Sequence, residues 1–208
     1  RIERAAVRLS RLAVRFMCWF SAHWLAMANL AALLYVGLPT LAPVLAWAGY
    51  EGAARVVHTV FTPLCHQLPE RSFFLFGPQV VYSYGELAQH LGEVPRRYAG
   101  DAALGFKIAV CQRDVAIYAS MFLAGLAYGA AGRRFKPLPV KAFVLLILPM
   151  AVDGGGQLLG LWSSTWLSRL ITGALFGGAL VWLAYPHLQK AMAEVHGSLV
   201  ELIASWER

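Results

Sequence analysis

Five short polar stretches hold nearly all the chemically capable side chains of this chain. They are Cys65-His66, Arg71, Cys111-Gln112-Arg113-Asp114, Asp153 with Gln157, and Arg169. Thiolate, imidazole and carboxylate together suit zinc, or else iron or copper. Cys65, His66, Cys111, Asp114 and Asp153 are therefore the candidate metal ligands. Adjacent Cys65 and His66 do not easily point at one ion, so one of the two is expected to bind. Cys111 and Asp114 stand three apart at an expected helix start, the spacing of the second half of a C-x-x-C ligand pair. His58 and His90 are reserve ligands.

Duller chemistry fits the same residues. Cys65 and Cys111 could be bridged if they face an oxidising compartment. Arg71, Arg113, Asp114, Asp153 and Arg169 could form an ion-pair network that locks a loop to a bundle. Arg71, Arg113 and Arg169, with Gln157, could instead bind the phosphate or carboxylate of a headgroup or cofactor. Cys18 reads as a small buried hydrophobe. His23, beside Trp19 and Trp24, reads as a hydrogen-bonded packing residue rather than a haem ligand.

The elements that must position these residues are membrane helices. Of 208 residues, 59% are hydrophobic and only 14% charged, against about 25% charged in soluble domains. The mean hydropathy is +0.56. The net charge of +7 is no nucleic-acid signature, because five of the fourteen arginines fall in the first fifteen residues. Arg1, Arg4, Arg8, Arg11 and Arg15 recur at helical spacing, which predicts a basic amphipathic helix over 1–15 lying on an anionic lipid surface. The apolar run that follows is too long for a secretory signal, and no small-residue cleavage site ends it.

Spans are expected at about 16–38, 114–131, 138–152 and 168–185. Pro39 and Pro43 should break the first of them and leave a short interfacial helix near 41–49. Residues 51–112 form a polar loop with balanced charge. Within it, 72–82 predicts a hairpin around Gly77-Pro78, 85–91 a short helix and 92–101 a loop. Gly154–Gly156 should break the third span, and 186–208 should form a second amphipathic helix. Basic residues flank the N-terminus and the 132–141 turn, where Arg133, Arg134, Lys136 and Lys141 have no acidic neighbour. The positive-inside bias then puts both termini in the cytoplasm and the five polar stretches together on the extracytoplasmic face of the cell membrane. In the reversed orientation they would still share a face.

Four blocks carry a family resemblance. They are Cys65-His66-Gln67-Leu68-Pro69-Glu70-Arg71-Ser72-Phe73, Cys111 to Tyr118, Pro149 to Gln157, and Ser168 to Gly173. In this order they resemble a bacterial and archaeal family of small integral membrane proteins of unknown function, over about residues 60–180. Many relatives with this pattern carry C-x-R-C where this chain has C-x-R-D, so Asp114 stands in the place of a second cysteine. The resemblance implies the fold and the cluster, and no activity.

The expected architecture is an all-α integral membrane protein: a four-helix transmembrane bundle with a folded extracytoplasmic loop and amphipathic terminal helices. The expected function is a site for a metal, zinc or iron, or for redox chemistry. The alternative is a small accessory subunit of a larger membrane complex, such as an energy-transducing one, with the cluster as a disulfide or ion-pair staple. The expected partners are the lipid bilayer and such a complex or a second copy of the chain, and no nucleic acid.

Overall fold

The computed structural model describes residues 2–206, with side chains from Ala6 onward. Arg1, the Arg4 side chain, Glu207 and Arg208, which belong to the expected terminal helices, lie outside the described residues. Long helices dominate. Helix α1 spans Ile2–Trp47, α4 Gln112–Ala130, α5 Val140–Leu158 and α6 Trp166–Ser205. Between α1 and α4 lies a small folded cap. It comprises α2 (Glu51–Phe61), a 3-10 turn (Pro69–Arg71), β1 (Ser72–Leu75), α3 (Tyr84–Leu91), β2 (Gly100–Asp101) and β3 (Gly105–Cys111).

Helix α1 runs unbroken through Pro39 and Pro43, where the sequence predicts a break. Both prolines are fully buried, on a helix that packs against β3. Tertiary contact thus holds the segment helical despite the missing backbone donors. At 1.5 Å per residue its 46 residues extend about 69 Å, twice a hydrocarbon core. Helix α6 likewise continues through Pro186 to Ser205. The terminal segments are therefore extensions of α1 and α6, not separate helices. They pair with each other: Trp24 Nε1 donates to Gln189 Oε1 at 3.0 Å, His196 Nδ1 lies 3.0 Å from Cys18 O, and Arg11 lies over the Trp206 ring at 5.3 Å. Trp24, Leu25, Tyr128, Val181 and Tyr185 form the core just above this pair.

The cap departs from an all-α fold. Its sheet has the order β1-β3-β2, with antiparallel neighbours. Ser72 faces Cys111 and Phe74 faces Lys107, with a bulge between Ser72 and Phe74. No hairpin strand forms at Gly77-Pro78. Beyond β1 the chain folds back through one bond, Phe74 N–H to Val80 O at 2.8 Å, and β1 takes its ladder partner from β3. A Cβ on Gly77 would meet Leu104 O at 2.1 Å, so only glycine lets the turn approach the β2–β3 connection. Helix α3 forms where expected and begins with a capping box between Ser83 and Glu86. Phe61 and Cys65 meet Ile108, Ala109 and Val110 in the core that joins cap to bundle.

The glycine run does not interrupt α5, which continues to Leu158. At Gly156 the helix is closely packed: a Cβ there would lie 2.0 Å from the Trp162 ring. The Trp162 turn can therefore fold back on the helix end and start α6. Helix α5 packs on α6, and α4 packs mainly between α6 and α1.

Candidate functional site

Strand β3 runs into helix α4 with no intervening loop, and Cys111 sits at the joint as the residue that caps α4. Asp114 follows in the first helical turn. Cys65 arrives from the other side, on the loop after α2, where its N–H donates to Phe61 O at 3.0 Å. One ligand atom from each of Cys65, Cys111 and Asp114 lies within 4.8 Å of the others. The two thiols are unbridged. They border a cleft of about 170 Å³ that His66, Gln67 and Arg71 also line.

The Cys65 loop is held rigidly. Gln67 adopts a left-handed conformation, φ 55°. Its side-chain amide donates to His58 O at 2.7 Å, and its Oε1 meets His58 Nδ1 at 3.0 Å. That pairing assigns the ring proton to Nδ1. Burial holds the His58 pKa below its usual value, so the ring is neutral. The Gln67 carbonyl accepts from Lys107 Nζ, a side chain only 1% exposed.

The two thiols are unequal. A hydrogen bond shared with Cys111, with help from the Gln67 backbone, holds the Cys65 pKa down against its burial. The same contact, burial and the nearby Asp114 carboxylate push Cys111 up. Cys65 is thus the thiol that ionises first, and a cation between the sulfurs would draw the proton from Cys111 as well.

Lys107 gives a pH signature. Burial pushes its ammonium down from 10.5 to about 8. Between those values the unfolded chain holds the proton and the folded one does not, so stability rises with pH across that window. Relative to Lys107→Met, the wild type should gain about 2 kcal/mol between roughly pH 8 and 9.5. Denaturation measured at both pH values checks it, and a difference that stays flat would count against a buried amine.

The remaining polar residues form a second layer. Arg113 pairs with Asp153, whose other oxygen accepts from Ser168 Oγ at 3.3 Å. Buried Arg169 donates from Nη1 to Gln112 Oε1 at 3.1 Å and to Glu70 O at 3.4 Å. Gln112 in turn donates to Ser72 O at 3.0 Å. This chain of bonds ties α6 to α4 and to the start of β1.

The structure therefore brings together Cys65, Cys111 and Asp114. His66 lines their cleft, but no ring nitrogen of it is in the converging set. Asp153 is turned to Arg113. Gln157, Arg71 and Arg169 border a neighbouring cavity. Sequence reasoning missed Lys107, Gln67 and Ser164. Lys107 had one available signal, a lone charge inside the apolar run Phe106 to Val110.

Among the described residues, three helices are long and apolar enough to cross a membrane: Ala6–Trp47, Val140–Leu158 and Trp166–Ser205. The class so defined is a small helical integral membrane protein with a polar cap. The chain belongs to the family described as "Predicted membrane protein (DUF2085)", whose profile matches residues 102–183. It is also 30% identical over 154 residues to the uncharacterized protein MJ1492 of Methanocaldococcus jannaschii, covering 70% of this chain and 80% of that one. No solved structure matches the chain. The family match takes in Cys111, Asp114, Asp153, Gln157 and Arg169, and starts after Cys65.

Proposed function

We propose that this is a four-span protein of the cytoplasmic membrane, and that Cys65, Cys111 and Asp114 hold one zinc or iron ion at its extracytoplasmic face. Helix α4 is the fourth span in this reading, packed between α1 and α6. Charge supports the orientation. Arg133 of the α4–α5 turn bonds Gln189 Oε1 at 3.2 Å, the same oxygen that Trp24 reaches, so the basic turn and the arginine-bearing start of α1 share one end. The capped end carries balanced charge.

The observation that carries the metal is the convergence of three ligand atoms within 4.8 Å, from segments 46 positions apart (Cys65 and Cys111). Metal–ligand distances of about 2.0–2.3 Å put ligand atoms in a tetrahedral zinc site roughly 3.3–3.8 Å apart. The cluster reaches that by a small contraction. With only three protein ligands, an ion held there would keep a coordination position free for water or substrate, and His66 lines the adjoining cleft.

Elemental analysis of the purified protein, with thiols counted after denaturation before and after reduction, tests this. About one equivalent of metal and three free thiols supports it. No metal and one free thiol would mean that Cys65 and Cys111 are bridged, and the cluster would be a staple. A second reading, an accessory subunit or homo-oligomer, is favoured by α5. Its row Val144, Leu145, Leu148 and Val152 is exposed, as a seat for another membrane helix would be. A solution mass equal to one chain plus its detergent would sink that reading.

A further inference from the structure

Beside the cysteine cleft lies a second cavity, of about 460 Å³. Glu70 and Arg71 border it from the 3-10 turn, Tyr84 from the start of α3, Gln157 from the end of α5, Ser164 from the α5–α6 turn and Arg169 from the first turn of α6. Its size falls in the range of about 300–1,000 Å³ usual for small-molecule sites.

Two independent observations point to a missing ligand. Arg169 is 6% exposed, yet its hydrogen-bond partners, Gln112 Oε1 and Glu70 O, are both neutral. A buried guanidinium without an anion bears a large desolvation cost. Ser164 is 8% exposed, and its Oγ has no hydrogen-bond partner. A buried hydroxyl without a partner is destabilising, and this one belongs to a residue that lines the cavity.

The nearby carboxylates do not supply the anion. Asp153 is committed to Arg113. Glu70 lies 4.0 Å from Arg71 Nε and offers Arg169 only its backbone oxygen. Two guanidinium groups against one carboxylate leave one positive charge on the cavity wall. The N-terminus of α6 adds its positive end at the same place.

We propose that this cavity binds a phosphate group, held by Arg169 and Arg71 with Ser164 and Gln157 as neutral hydrogen-bonding partners. Guanidinium forks from two sides and a hydroxyl from a third suit a tetrahedral oxyanion. The volume exceeds what a bare phosphate fills, so an ester fits, either a lipid headgroup or a soluble phosphate compound. The site does not depend on a metal at Cys65 and Cys111, although Arg71 lines both cavities.

The test is calorimetric titration of the full chain, delipidated in a non-ionic detergent, with three probes: inorganic phosphate, dioctanoyl phosphatidic acid and dioctanoylglycerol. One saturable phosphate-bearing probe per chain is expected. Arg71→Gln, at a half-exposed position, should weaken it by about tenfold or more, and Ser164→Ala by a few-fold. Comparable binding of both phosphate probes assigns a soluble ligand. Binding of phosphatidic acid at least about tenfold tighter than inorganic phosphate, with dioctanoylglycerol inert, assigns a lipid headgroup. Arg169→Gln also unpairs Gln112 and could unfold the bundle, so the other two variants decide. No binding of either phosphate probe, or unchanged affinity in both variants, overturns the proposal. Repeating the titration on chelator-treated protein separates this result from the metal reading, because phosphate should bind there too.

Discussion

On the proposed metal reading of the cluster, replacing Cys111 with serine is expected to take the purified protein from about one equivalent of metal to below about a tenth, while the bundle stays folded. A hydroxyl stays protonated at neutral pH and is a poor ligand for a borderline cation, so the site would lose one of its two thiolates outright. The exchange is nearly isosteric. Cys111 packs at the edge of the core of Ile108, Ala109 and Val110 and makes no side-chain cap bond to α4, so little of the fold depends on its sulfur. Cys65→Ser should act alike, though Cys65 is the more buried of the two. Asp114→Cys should do the opposite. It restores the C-x-R-C pattern that this chain resembles, and should raise zinc affinity by about tenfold or more against a competing chelator. A Cys111→Ser protein that keeps its metal would put the ion elsewhere. Full-length protein in detergent, with its helical circular dichroism recorded beside its metal content, gives both readouts.

The parts of the fold that the sequence revealed are those written in local pattern. The apolar runs marked α4 and the starts of α5 and α6 within a few residues, though α5 runs on to Leu158 and α6 to Ser205, and the short helix expected over 85–91 is α3. What stayed hidden depends on distant partners. The stretch over 72–82 predicts a local hairpin around Gly77-Pro78, but β1 pairs with β3 instead, Ser72 with Cys111 across 39 positions. Pro39 and Pro43 look like breakers, yet both are buried in a helix that packs against β3. The glycines after Asp153 look like a break, yet the helix runs through them, and Trp162 fills the space that Gly156 leaves. In the site, Cys111 and Asp114 were legible because α4 fixes their spacing. That Cys65 rather than His66 faces them was not, since it follows from the left-handed turn at Gln67 and its hold on His58 and Lys107.

Gly177→Leu should cost about 3 kcal/mol or more and leave little folded protein at ambient temperature. A Cβ at this position would stand 2.3 Å from Ile117 O and 2.2 Å from Ser120 Oγ. A serine side chain can turn away, but the Ile117 carbonyl belongs to the α4 backbone and cannot. The helices would have to separate, as happens when small residues are lost from close membrane-helix crossings. Gly173, one turn earlier, adds a milder version of the same contact, with Ala116 Cβ and Arg113 O both at 2.9 Å. Separation would not stay local. The α4–α6 approach holds Arg169 against Gln112, and Gln112 is the residue after Cys111, so the polar layer and both cavities should open with it. Gly178 provides the matched control. It is adjacent in sequence, yet a Cβ there meets nothing within 4 Å, so Gly178→Leu should melt within a few degrees of the wild type. If the two leucine variants lost stability equally, helix propensity or lipid contact would be the cause, and the close α4–α6 crossing would not be what holds the site together.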